Sequence, residues 1–224
     1  MERARQAART AGRFTVALAG GSTPRALYAL LADRAAPYRS QVPWDRTFVF
    51  FGDERQVSPD HPDSNFRMAR ESLLRHVPVP EEQVYRMRGE NPDPDRAAEE
   101  YEEIIRDVFR LGAFDRPRFD LILLGMGADG HTASIFPGAP GARQAERLAL
   151  AVRVAPLGVD RITLTLPVLN HAAAVLFVVS GVSKAEAVRQ VLGGASDLPA
   201  AEVRPAAGDL LWLLDREAAH LMAR

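Results

Sequence analysis

The chain has 224 residues, 47% hydrophobic and 25% charged, with a formal net charge of −1 and no cysteine. That composition suits a globular chain with a sizeable core and excludes disorder, disulfides, thiolate catalysis and thiolate metal sites. No single-sign charge run invites nucleic acid or an anionic membrane, and no apolar run approaches spanning length or forms a signal segment after Met1-Glu2-Arg3-Ala4-Arg5, so a cytoplasmic protein is expected.

Glu2 to Thr10, rich in Ala and Arg, reads as a helix. Phe14 to Ala19 (FTVALA) has the β-branched and aromatic content of a strand. It runs into Gly20-Gly21-Ser22-Thr23-Pro24, where glycines, hydroxyl caps and a proline at the first helical position precede a helix over Arg25 to Ala32. Strand, glycine turn and helix start together can hold a phosphate on backbone N–H groups. Taken alone, an ordinary capped turn is an equal reading. The loop is neither GxGxxG nor a Walker A sequence, so no dinucleotide or P-loop nucleotide is implied.

Thr47 to Phe51 (TFVFF) is a second buried strand, followed by a charged loop, Asp53-Glu54-Arg55. Ser64 to Leu74 is an amphipathic helix with Ser64 as N-cap, and His61 and His76 beside it read as surface residues. Val77 to Tyr85 is irregular. Asn91 to Asp95 is a turn that caps a helix from about Arg96 to Leu111, whose Glu99, Glu100, Glu102 and Glu103 read as a solvated face rather than a metal site.

The stretch Phe119 to Gly138 (FDLILLGMGADGHTASIFPG) carries the densest signal. Asp120 to Leu124 lacks a 3.6-residue period and reads as a strand buried on both faces of a parallel sheet. Gly125, Gly127 and Gly130 follow, where unusual φ or close approach of a ligand justifies glycine. Asp129 and His131 are the polar groups of that loop, and Thr132, Ala133 and Ser134 are expected to open a helix turn whose backbone N–H groups are free to face an anion. Leu148 to Val154 is a strand, Pro156 to Asp160 a loop, and Arg161 to Leu166 an alternating, half-buried strand or sheet extension. A short helix starts over Pro167 to His171, and Ala174 to Val179 is a buried strand. Ser183-Lys184-Ala185-Glu186 resembles a capping box opening a helix to Leu192. Lys184 is the sole lysine among 28 basic residues, and a cation at a helix start is disfavoured by the dipole unless an anion is shared there. Leu210 to Leu214 is the last strand, before a short helix ending near Met222. Trp44 and Trp212 read as core residues.

The βα alternation continues without a repeat, linker or composition break. The fold class is therefore α/β: one domain over residues 1–224, with a single doubly wound, mostly parallel sheet and helices on both faces. Such a sheet places Gly20–Thr23, Asp53–Arg55, Asp129–His131 and Ser183–Lys184 on its carboxyl edge. Anion-binding helix starts, cations and one imidazole suit a small phosphorylated substrate undergoing proton-transfer chemistry.

AGGSTP (Ala19 to Pro24), FGDERQV (Phe51 to Val57), DSNF (Asp63 to Phe66), LLGMGADGHTASIFPG (Leu123 to Gly138), RITLTLPVLN (Arg161 to Asn170) and VSGVSKAEAV (Val179 to Val188) resemble the 6-phosphogluconolactonase family over nearly the whole chain. The resemblance implies a modified Rossmann-like, glucosamine-6-phosphate deaminase-like fold. It implies hydrolysis of 6-phospho-D-glucono-1,5-lactone to 6-phosphogluconate, in the oxidative pentose phosphate pathway, without a required cofactor or metal. His131 is then the base for the hydrolytic water, and Asp129 orients it or binds substrate. Gly20, Gly21, Ser22, Thr23 and Gly130 line the phosphosugar, Arg161 and Lys184 clamp its phosphate, and Asp53 and Arg55 contact the lactone end or the phosphate. A monomer acting on a phosphorylated sugar lactone is expected, with neither nucleic acid nor membrane as partner. One departure is the N-terminus, where family members often carry a strand before the first helix.

The rival reading within the superfamily is a ring-opening deaminase, whose corresponding loop reads like DGHIAFNEP. Here that loop is Asp129-Gly130-His131-Thr132-Ala133-Ser134-Ile135-Phe136-Pro137, without the carboxylate, and Glu54 is the first substitute. A non-catalytic sugar-phosphate-binding domain is the other alternative, for which 224 residues are expected to leave no room for a DNA-binding segment.

Overall fold

A computed structural model describes residues 1–138, 146–153, 158–194 and 196–222. Five parallel strands form the main sheet: β1 (Phe14–Leu18), β2 (Thr47–Phe51), β4 (Leu121–Leu124), β7 (Ala174–Val179) and β8 (Asp209–Leu214), in the order β2-β1-β4-β7-β8. The chain moves one way from β1 to β2 and the other way through β4, so the loops leaving β1 and β4 part at their carboxyl ends and open a crevice. Strand pleating sends neighbouring side chains to opposite faces. Val49, Phe51 and Leu123 pack under α1 (Glu2–Thr10), α2 (Ser22–Ala32) and α3 (Asn65–Ser72). Phe50, Ile122 and Leu124 face the other way, into a cluster shared with α4 (Pro94–Phe109), α5 (Leu166–Leu169) and α6 (Ala185–Leu192). Trp44 is buried, and Trp212 packs flat on Phe177 at 3.9 Å, as expected of core residues.

A second, antiparallel sheet of three strands stands beside the first: β3 (Asp53–Arg55), β6 (Arg161–Leu164) and β5 (Ala149–Val152). Gly52 is the corner between the two. Its N–H still donates to Leu18 of β1, at 2.9 Å, while its carbonyl accepts from Leu164 of β6, at 2.8 Å. Asp53-Glu54-Arg55, expected as a loop, is thus a strand that places Arg55 directly opposite Arg161.

Two buried tyrosines tie helices to the carboxyl ends of strands. Tyr28 of α2 both accepts from the Ala19 N–H and donates to the Ala19 carbonyl, each at 2.9 Å. Tyr101 of α4 does the same for Phe51, at 2.8 and 3.0 Å. Burial pushes both phenols above the ordinary range, so both keep their protons as donors.

Several local expectations change. α2 begins at Ser22, so Pro24 lies inside the first turn, where its missing N–H would have no helical acceptor in any case. Thr132 to Ser134 form no helix start but part of a tight turn. Ser183 makes no side-chain cap; a 3₁₀ turn over Val182–Lys184 leads into α6. Residues 216–222 are turns rather than a helix. Glu102 is not solvated: it is buried and accepts from Arg106, Arg147 and the Leu148 N–H. Val154 of the expected strand and Pro156 and Leu157 of the expected loop lie outside the described residues.

Candidate active site

The crevice between the β1 and β4 loops is a cleft of about 200 Å³, a size for one small metabolite rather than a dinucleotide. Gly20, Gly21, Ser22, Thr23, Asp53, Arg55, His131, Arg161 and Lys184 all line it. Asp129 and Gly130 do not. Asp129 stands behind the imidazole, and Gly130 has no side chain because one would meet Leu198 at 2.7 Å.

The first wall is the start of α2. Gly21 adopts φ 104° as its N-cap, without a side-chain cap. The N–H groups of Ser22 and Thr23 have no acceptor among the described residues, as befits a helix start open to an anion. Thr23 shares a 2.7 Å hydrogen bond with Ser180, which joins this wall to the loop after β7. Lys184 borders the same loop and has no carboxylate partner among the described residues.

The second wall is the cross-strand pair Arg55 and Arg161. Arg55 donates to the Asp63 carbonyl at 2.5 Å. Neither Nε has a hydrogen-bond partner. Burial, and then the charge of Arg55, push the Arg161 pKa down, against Asp53, Glu54 and Asp63, whose charges push it up. Asp53 lies beside them, but its carboxylate already accepts from Ser134, at 2.7 Å, and from Asn65, at 3.1 Å.

The third wall carries His131. Its Nδ1 lies 2.6 Å from Asp129, whose same oxygen accepts the His131 backbone N–H at 3.2 Å. Desolvation raises the Asp129 pKa, but the hydrogen bonds and charge of His131 outweigh it and hold the carboxyl below its ordinary value. An ionised carboxylate only accepts, so Nδ1 carries the proton and Nε2 has the free lone pair. Phe136 packs against the imidazole at 4.6 Å and under the Arg161 guanidinium at 5.8 Å. Gly127 is glycine because a Cβ would sit 2.1 Å from Nδ1 and 2.3 Å from the Asp129 carboxylate.

Asn65, Ala133 and Ser180 also stand on the cleft wall. Sequence reading left Asn65 inside the DSNF motif without a role and gave Ser180 none, whereas Ala133 was expected there as part of a helix turn with N–H groups facing an anion. Glu54 is buried and turned away from the cleft. It accepts from the N–H groups of Arg55, Asn65 and Phe66 and from the Ser64 hydroxyl, so it caps α3. Among the described residues no three His, Asp or Glu side chains converge to hold a metal, and no helix is long and apolar enough to cross a membrane.

Residues 1–212 match the family described as glucosamine-6-phosphate isomerases/6-phosphogluconolactonase. A 6-phosphogluconolactonase of Synechocystis sp. is 43% identical over 210 residues, which cover 92% of this chain and 84% of that one. The rat 6-phosphogluconolactonase is 40% identical over 219 residues, covering 95% and 82%. The solved 6-phosphogluconolactonase of Trypanosoma cruzi superposes with a TM-score of 0.84 at 30% identity, covering 100% of this chain and 89% of that one. The chain belongs to the glucosamine-6-phosphate isomerase/6-phosphogluconolactonase family.

Proposed function

We propose that this chain hydrolyses 6-phospho-D-glucono-1,5-lactone to 6-phosphogluconate, with His131 as general base. The observation that carries the reading is one small cleft that pairs an Asp129-held imidazole with three cations and an open helix start. Lys184, Arg161 and the Ser22 and Thr23 N–H groups hold the phosphate; Arg55 lies toward the same charge. Water enters between His131 and the lactone carbonyl. Nε2 takes a proton as the water oxygen bonds to the carbonyl carbon, and the carbonyl π pair moves onto its oxygen. The oxyanion then collapses, the bond to the ring oxygen breaks, and the imidazolium returns its proton to that oxygen. Asp129 stabilises the imidazolium throughout. The steps need only water, a base and oxyanion stabilisation, and no cofactor. Gly130 and Asp53 support this site by packing and by hydrogen bonds rather than by touching substrate.

The test is purified protein with freshly generated lactone, measured against spontaneous hydrolysis in buffer. His131→Ala should lower kcat by roughly 10²- to 10⁴-fold, the usual worth of a positioned base. A loss under about threefold, with the fold intact, removes His131 from that role. The deaminase alternative predicts ammonia from glucosamine 6-phosphate at enzymatic rates. We expect none, because the loop after His131 holds no carboxylate and Glu54 is turned into the α3 cap.

A further inference from the structure

The turn after His131 holds a residue in a conformation that its sequence does not favour. Thr132 and Ile135 exchange backbone hydrogen bonds, at 3.3 and 2.9 Å, which makes Ala133 and Ser134 the two central residues of a hairpin turn. Ala133 has φ 48°, and Ser134 is not among the positive-φ residues. A positive φ at the first central position alone is the type II′ pattern, where glycine is the natural occupant. The other non-glycine residue with positive φ among the described residues, Arg110, is the ordinary left-handed cap of α4. Ala133 has no such explanation, and strain of this kind concentrates where a site needs it.

The turn is held from beneath. Ser134 is fully buried; its hydroxyl donates to Asp53 at 2.7 Å and its N–H donates to the Thr163 hydroxyl at 3.2 Å. The buried Thr132 hydroxyl donates to the Gly125 carbonyl at 2.9 Å. The backbone donors around Ala133 are also committed. Gly130 donates to Gly127, His131 to Asp129, Thr132 to Ile135, Ser134 to Thr163 and Ile135 to Thr132. Of residues 130–135, only Ala133 has an N–H without an acceptor among the described residues. In a hairpin turn that N–H lies outside the turn's own hydrogen bonds. Ala133 lines the same cleft as His131, two residues along the chain.

We infer that the backbone N–H of Ala133 is an oxyanion donor for the lactone's tetrahedral intermediate, and that Ser134 is the positioning residue that holds it. This rests on the lactonase reading above. A fixed, uncommitted amide beside the base meets the charge that develops on the carbonyl oxygen without reorganising when it forms. The strain at Ala133 is what places that amide, and the Ser134–Asp53 bond is what maintains the strain. Asp53 thereby acts through the turn rather than on substrate.

The direct test replaces Ala133 by L-lactic acid, an amide-to-ester change that removes the N–H and keeps the methyl group. The N–H itself has no partner among the described residues, but the change also makes the Thr132 carbonyl, which accepts from Ile135, a weaker ester acceptor, so the unfolding midpoint should fall only slightly while kcat falls by about 10²- to 10³-fold, the usual loss for one oxyanion donor. Inhibition by inorganic phosphate should stay within about twofold, since the phosphate wall is untouched. Ser134→Ala keeps the N–H but frees the turn, and should lower kcat at least about tenfold with KM little changed. An ester protein that turns over lactone within about threefold of the natural chain overturns the assignment, as does a Ser134→Ala enzyme with unaltered kcat. If the natural chain itself hydrolyses no lactone above the buffer control, the lactonase reading falls and takes this one with it.

Discussion

Asp129→Asn isolates the electrostatic half of the proposed base. The substitution conserves shape, and the oxygen that accepts from Nδ1 also accepts the His131 backbone N–H. That second bond keeps an asparagine oxygen turned inward, so the imidazole retains its tautomer and loses only the charge beside it. The magnitude follows from geometry. With Nδ1 and the carboxylate oxygen 2.6 Å apart, the two charge centres are separated by about 3 Å. The side chains are 32% and 52% exposed, so solvent screens the pair. An effective dielectric constant of roughly 40 to 80 gives about 1.5–3 kcal/mol of lost imidazolium stabilisation. If the transition state carries the full charge, kcat falls by roughly 10- to 150-fold. The assay is steady-state lactone hydrolysis at saturating substrate, corrected for the spontaneous reaction, in the natural chain, both single variants and the double variant. Asp129→Asn should change kcat by less than about twofold in a His131→Ala background, because residues that act as a unit are not additive. Equal losses in both backgrounds would show that Asp129 works without the imidazole and would refute the reasoning.

Lys184→Met should weaken inhibition by inorganic phosphate or 6-phosphogluconate about tenfold or more, since a charge-assisted hydrogen bond contributes on the order of 1.5–3 kcal/mol; unchanged inhibition constants would put the phosphate elsewhere. Tyr101→Phe strands the buried N–H and carbonyl of Phe51 and should cost about 2–4 kcal/mol, read as a lower urea midpoint at constant m; a cost under about 0.5 kcal/mol would mean that water replaces the hydroxyl. Burial raises the Glu102 pKa, but its Arg147, Leu148 and Arg106 donors outweigh that and hold the carboxyl below the ordinary range. Glu102 therefore contributes stability that is present above the unfolded carboxyl pKa and lost as pH falls through the depressed folded value. The stability gap between the natural chain and Glu102→Gln should be widest near neutral pH and narrow in acid; a gap that widens on acidification contradicts that sign.

The main sheet was legible because its strands are apolar runs bounded by glycine, and the order of βα units limits how they stack. Gly20 to Thr23 and Asp129 to His131 were legible as sites because glycine and polar groups follow buried strands there. What was not legible depends on partners distant in sequence. Asp53-Glu54-Arg55 reads as a solvated loop until Arg161 to Leu164 pair with it. Glu102 looks like one of several surface acids, and the arginine that buries it lies 45 residues further on. Ala133 reads as helical by propensity; its left-handed turn exists because Ser134 and Thr163 hold it from below. Lys184 stands out in the sequence by its rarity, but the cross-strand arginine pair that shares its cleft follows only from the second sheet.

Glu54 separates a structural carboxylate from a chemical one. It was the first substitute for the acid that a ring-opening deaminase needs, yet its two oxygens each accept two hydrogen bonds, from the Arg55, Asn65 and Phe66 N–H groups and the Ser64 hydroxyl, at 2.7–3.0 Å. All four partners are donors. In Glu54→Gln, an amide NH₂ on one side meets the Arg55 and Asn65 N–H groups, and on the other it meets the Phe66 N–H while the Ser64 hydroxyl turns to accept, so at least one buried bond becomes a repulsive contact. Each bond to the carboxylate contributes on the order of 1.5–3 kcal/mol, so losing one or two of them should cost about 1.5–6 kcal/mol of stability. Burial pushes the Glu54 pKa above its ordinary value despite those donors. A raised folded pKa contributes stability that is complete below the unfolded value and lost as pH rises through the folded one, the opposite of Glu102. Glu54→Gln removes that term, so its deficit should be largest in acid and shrink as pH climbs past the carboxyl range. Lactone turnover, measured well below the variant's midpoint, should fall far less than the roughly 10²-fold expected for a catalytic acid. An unchanged midpoint with turnover down a hundredfold or more would place Glu54 in the chemistry and reopen the ring-opening alternative.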